Sequence, residues 1–138
     1  MSMITLSAVL AGIVLITLVI GVGLIQKRHK PRLKTAYYEV RWRALQKLCS
    51  DKSTWPLAVI DADKLLDDAL RRLKYKGKTM GERLVAAQRD MTDNDSVWYA
   101  HKLRNKLVHE DIANLKEVSV KDALKGIRQA LRDLGALK

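Results

Sequence analysis

The residues of this chain best suited to chemistry lie in one stretch, Trp98-Tyr-Ala-His101-Lys-Leu-Arg104-Asn105-Lys-Leu-Val-His109-Glu110. A histidine exchanges protons near neutral pH. A guanidinium stays charged and forks onto the oxygens of a phosphate or carboxylate. Wound as a helix at about 100° per residue, the stretch has two stripes. Ala100, Leu103 and Leu107 form a narrow apolar one. Trp98, His101, Asn105 and His109 form a second on the opposite side, with Arg104 on the flank between. The first stripe is enough to seat a helix on the rim of a bundle. The second holds two of the chain's three histidines and one of its three tryptophans, so it asks for another explanation.

Spacing constrains what these groups can do together. Asn105 and His109 are four apart, about 40° round the helix, and can touch. Arg104 and His109 are five apart, about 140° round, and diverge on a straight helix. Either the helix distorts before His109 or the two meet different parts of a site completed by another chain, as a two-fold dimer would do. His101 and His109 are eight apart, about 12 Å along the axis, too far to share one metal ion. No metal or other cofactor is expected.

The elements that must carry this stretch can be read from composition. The 138 residues suffice for one modest domain plus an anchor. Gly and Pro are scarce, Phe is absent, and Leu, Ala, Lys, Arg and Asp recur at helical spacing, so the expected class is all-α. The net charge of +11 divides into +6 over residues 1–43 and +5 over the rest. The first share reads as a membrane-topology signal; the second permits an anionic partner without demanding one. The single cysteine, Cys49, excludes an intrachain disulfide framework and reads as an idle thiol in an apolar setting.

Ile4 to Ile25 carries no charge over 22 residues, about 33 Å of helix against about 30 Å of bilayer hydrocarbon. A cleaved signal peptide fits worse: there is no basic leader, the apolar run is too long and no small-x-small cleavage site follows. Residues 1–25 therefore read as a single transmembrane anchor. The basic run after it puts the C-terminal domain in the cytoplasm and the N-terminus outside, at the cell membrane. Ala8 with Gly12, and Ser7 with Ala11, offer small residues four apart for a helix–helix contact. Pro31 interrupts any continuous helix, and residues 26–34 read as a basic juxtamembrane linker lying on anionic lipid.

Residues 35–138 read as a bundle of four to five helices. In the first, Leu33, Tyr37, Val40, Ala44, Leu45 and Leu48 share a face, with Trp42 at its edge. Asp51 to Pro56 is a turn, capped by Ser53 or Thr54. From Pro56 to Tyr75, Val59, Ala62, Leu65, Leu66, Ala69, Leu70 and Leu73 make the strongest stripe in the chain. Asp67 with Arg71, and Asp68 with Arg72, are i, i+4 pairs in the favourable order. The acids Asp61, Asp63, Asp67 and Asp68 read as a solvated face rather than a metal site. Arg71 to Lys78 suits a helix C-terminus, with Gly77 at the reversal, and could also hold phosphates. Thr79-Met-Gly-Glu82 is a capping box that opens a helix to about Met91. Asp95 or Ser96 caps the helix of the central stretch. A last helix starts near Ser119, buries Ala123, Leu124, Ile127, Ala130, Leu131 and Leu134, and ends at Gly135.

Arg104-Asn105-Lys-Leu-Val-His109 resembles the signature of the HEPN domain family: Arg, a polar residue, three variable positions, then His. The resemblance extends to the order of elements from about residue 33 to 135, with a transmembrane helix added in front. It implies a small helical bundle that dimerises through the motif helix and cleaves RNA without metal. By that resemblance His109 is general base or acid toward the ribose 2′-hydroxyl, Arg104 neutralises charge developing on the phosphate, and Asn105 orients the pair. Trp98, His101, Lys102 and Lys106 are the expected RNA contacts around them. The expected partners are the membrane, a second copy of the chain, RNA, and a protein partner or antitoxin. The alternative is a non-catalytic module that recruits a partner to the membrane. In that case Arg104 pairs with Glu110 or Asp111, Asn105 caps a neighbouring helix and His109 closes its own.

Overall fold

A computed structural model describes residues 3–26, 31–110 and 114–138 of the chain, and every described element is helical. The chain divides into two units at Pro31, which are described separately. The basic run Lys27 to Lys30 lies outside the described residues.

The described element of the first unit is one helix, α1 (Met3–Gln26). Thr5–Gly23 has a mean hydropathy of 2.6 and none of it is buried. At about 1.5 Å per residue, α1 is long and apolar enough to cross a membrane. The Thr17 hydroxyl donates to the Ile13 and Val14 carbonyls at 3.0 and 2.9 Å, so this polar group is satisfied within the helix.

The second unit contains α2 (Thr35–Leu48), α3 (Trp55–Arg72), α4 (Met80–Ala87), α5 (Asn94–His109) and α6 (Glu117–Asp133). Single 3-10 turns precede α3 and follow α4. Helix α3 packs against all four others. Its Ala-and-Leu stripe explains why: Ala58, Val59, Ala62, Leu66, Ala69 and Leu70 are fully buried, and the small alanines let neighbours approach. Around it lie Leu84 and Ala87 of α4, Val97 and Ala100 of α5, and Ala123, Ile127, Ala130 and Leu131 of α6.

Helix α2 turns a different face inward from the expected one. Tyr38, Trp42 and Leu45 are buried, whereas Tyr37, Val40 and Ala44 are exposed. Tyr38 can go inside because its hydroxyl donates to Asp68 Oδ2 at 2.8 Å. Burial, and next that bond, push the Tyr38 hydroxyl well above the usual phenol range. Several helix ends also differ from expectation. Thr54 is the N-cap residue of α3, but its side chain makes no capping bond; the Asp51 side chain caps the 3-10 turn before it, accepting from the Ser53 N–H. Asp93, not Asp95 or Ser96, caps α5 by accepting from the Ser96 N–H at 3.1 Å. Helix α6 begins at Glu117 rather than Ser119. The capping box Thr79/Glu82 is present as read.

Lys74 closes α3, and Gly77 follows at φ +153° where the chain turns toward α4. Lys74 has φ +62°; its N–H bonds the Arg71 carbonyl and the Tyr75 N–H bonds the Leu70 carbonyl. That pattern ends a helix with a left-handed residue, a position that favours glycine. The end of α6 makes the same bonds with Gly135 at φ +76°. Lys74→Gly is therefore expected to stabilise the bundle. Relief of the left-handed penalty, about 1–2 kcal/mol, exceeds the added freedom of the unfolded chain, roughly 0.5–1 kcal/mol. Thermal unfolding followed by circular dichroism should show a higher midpoint; a lower one contradicts this account.

Candidate functional site

Helix α5 is not a rim helix with one inward stripe. Its apolar side packs beside α6, and its second stripe faces α3 and α4. Trp98 is half-buried, its ring beside Gly81 of α4. His101 lies edge-on to Trp98, with ring centroids 5.9 Å apart. This is the explanation the second stripe asked for: its first turns bury an indole and an imidazole against neighbouring helices.

The imidazole meets a carboxylate there. Asp63 of α3 is 2% exposed, which corrects the reading of the acidic run as a solvated face. Its two oxygens hold two groups of α5. Oδ1 is 3.0 Å from His101 Nδ1, and Oδ2 is 3.5 Å from Arg104 Nε. A carboxylate on the inner side of α3 needs such compensation, because an unpaired buried charge is costly. Arg104 Nη1 in turn donates to Asn105 Oδ1 at 2.9 Å. So Arg104 pairs with Asp63 and Asn105, not with Glu110; Asp111 lies outside the described residues.

A second set of ions fixes the wall opposite. Arg83 of α4 is 5% exposed. Its Nε and Nη2 both reach Asp67 Oδ1 at 2.7 Å, and its Nη1 donates to the Gly77 carbonyl at 2.8 Å. Asp67 Oδ2 accepts from Arg71 at 2.9 Å. These bonds hold the segment Gly77–Thr79 against α3 and keep Lys78 beside α5. Between these walls lies an open groove of about 430 Å³, to which Arg71, Lys78, Arg83, His101, Arg104 and Asn105 all contribute. Four cations, Arg71, Lys78, Arg83 and Arg104, and one carboxylate, Asp67, line it, with Asp63 facing Arg104 and Glu82 accepting from the Lys78 N–H beside it. The groove suits an anion. No group of three or more His, Cys, Asp or Glu side chains could hold a metal among the described residues.

The sequence-derived site residues thus fall in three places. His101, Arg104 and Asn105 line this groove, and Trp98 packs behind His101. Lys102 and Lys106 line a different hollow, of about 480 Å³, with Tyr99 and Lys116. His109 is the exposed last residue of α5 and lines neither. The Asp67–Arg71 pair and the basic run Arg71 to Lys78 are the sequence signals for this wall; Asp63 and Arg83 acquire their roles from partners 38 and 16 residues away.

Comparison of the chain with protein-family models, with curated proteins and with solved structures gives no match.

Proposed function

We propose that this chain is a membrane-anchored, HEPN-like helical domain that binds RNA by its phosphates in the groove between α3, α4 and α5, and cleaves it without metal. Helix α1 is the transmembrane span. The basic residues after it keep the bundle on the cytoplasmic side. The observation that carries the reading is the pre-set guanidinium of Arg104, held by Asp63 and Asn105 at a groove with excess positive charge. A guanidinium bonded by Asn105, with the Asp63 carboxylate 3.5 Å from its Nε, loses less freedom than a free one when it grips a phosphodiester. The family resemblance gives His109, exposed at the end of α5, the role of serving a second copy of the chain across a two-fold axis. Confinement to a membrane raises the effective concentration of such pairs.

The test is RNA binding by the whole chain in detergent, measured by fluorescence anisotropy with single-stranded RNA. Arg104→Ala is expected to weaken binding about tenfold or more, the loss of one charge-assisted phosphate contact. Raising salt from 50 to 200 mM should weaken the wild type further. Equal binding by Arg104→Ala and wild type refutes the reading.

A second reading has its own observation. An apolar groove of about 460 Å³ runs between α2 and α3, lined by Leu45, Leu48, Leu57 and Leu65, and Leu57 is 46% exposed. A module recruiting a protein partner to the membrane would use this face. Association abolished by Leu57→Asp but kept in Arg104→Ala would favour it.

A further inference from the structure

We infer that His101, rather than His109, is the imidazole that takes the ribose 2′-hydroxyl proton in this groove, with Asp63 as its positioning residue. The inference rests on the RNA reading above and adds to it a catalytic group from a single chain. Three observations converge on His101.

First, its partner is fixed. Asp63 Oδ1 lies 3.0 Å from Nδ1 and the carboxylate is 2% exposed. A carboxylate only accepts, so Nδ1 carries the hydrogen and the neutral ring has its lone pair on Nε2. A carboxylate behind a histidine in this way sets its tautomer and ring orientation wherever the ring must act as a base. Trp98, edge-on at 5.9 Å, holds the ring plane from the side.

Second, His101 lines the groove together with the guanidinium it would need. His101 and Arg104 are one turn apart on α5, so they face the same way. The same carboxylate holds both, one through each oxygen. Arg104 Nη1 donates to Asn105 Oδ1, and Nη2 donates to no protein group among the described residues. That leaves a donor for a phosphate oxygen beside the base.

Third, His109 is exposed at the end of α5 and does not line this groove. Within one chain, the imidazole beside Arg104 is His101.

The step is a transesterification. His101 Nε2 accepts the 2′-hydroxyl proton as the 2′-oxygen forms a bond to phosphorus. The bond from phosphorus to the 5′-oxygen breaks, and that oxygen takes a proton from solvent. The products are a 2′,3′-cyclic phosphate and a 5′-hydroxyl; the proton on His101 returns to solvent. Arg104 faces the charge that builds on the non-bridging oxygens.

The experiment uses the whole chain in detergent with chelator present and a 5′-labelled single-stranded RNA. His101→Asn is the informative variant. Its side-chain amide can donate to Asp63 in place of Nδ1, so the fold keeps its contact while the proton acceptor is gone. Cleavage is expected to fall at least about 100-fold, the usual share of a general base, while RNA affinity stays within about threefold. RNA with 2′-deoxyribose throughout should bind and stay intact. Asp63→Asn should lower the cleavage rate and change its pH profile while RNA affinity stays within about threefold, a split that a purely structural carboxylate would not give. If the wild type binds RNA but does not cleave it, or if His101→Asn cleaves like wild type, the inference fails while the binding reading stands. If the wild type does not bind RNA, both fail.

Discussion

Gly126→Val is expected to destabilise the bundle by about 2–3 kcal/mol or more, the upper range for overpacking a filled interior. Helix propensity alone argues the opposite, because a glycine within α6 costs roughly 0.5–1 kcal/mol relative to alanine. Packing decides the sign. A Cβ at position 126 would lie 2.7 Å from the carbonyl carbon, the carbonyl oxygen and the Cβ of Ser96 on α5. Real Cβ contacts are not that close, and the obstacle includes backbone, which cannot swing aside as a long side chain would. Helices α5 and α6 would have to part, uncovering Val97 and Ala100 on one side and Ala123 and Ile127 on the other, all buried in the same core. For a unit of this size the loss corresponds to a drop of about 10–15 °C in Tm. Gly126→Ala should already lower Tm, where Lys74→Gly raises it. A higher Tm for Gly126→Ala would mean that α5 and α6 do not approach this closely.

Several parts of this architecture are legible in residue order alone. The stripe of α3 is one, because its alanines and leucines repeat at helical spacing and nearly all are buried. The capping box before α4 is another, since both partners sit three residues apart. The inward face of α2 is not legible. Tyr37 and Val40 compete there with Tyr38 and Trp42, and what decides is a hydroxyl reaching Asp68, 30 residues away. The turn after α3 misleads for a local reason: Gly77 is the better left-handed residue, but the bonds closing α3 fall at Lys74. The angular argument that Arg104 and His109 diverge on a straight helix needs only the helical period, and His109 indeed lies off the groove that Arg104 lines. Asp63 was the residue least open to sequence reading. In a run of four aspartates it looks like its neighbours, and only α5 packing across α3 separates it from them.

Asp63→Ala is expected to cost about 3–5 kcal/mol, the range for removing one partner of a buried ionic contact. The cost should fall toward the lower end, because the Arg104 side chain is 28% exposed and can turn to water. His101, 12% exposed, has less room to do so. Asp61→Ala is the control: its side chain is 38% exposed and its nearest cation, Lys64, stands 4.0 Å away, so its loss should cost no more than about 0.5 kcal/mol. Urea unfolding of both variants measures the difference, and equal costs would mean that Asp63 is not held as described. Coupling then separates structure from chemistry. In a double-mutant cycle of Asp63→Leu and His101→Leu, the pair should show an interaction energy of about 1–3 kcal/mol. Removing both polar partners of a buried contact is far less damaging than removing one. A double variant that regains most of the stability would show that the fold does not require this carboxylate. Its place in the interior of α3 would then be explained by the two side chains it aims at the groove.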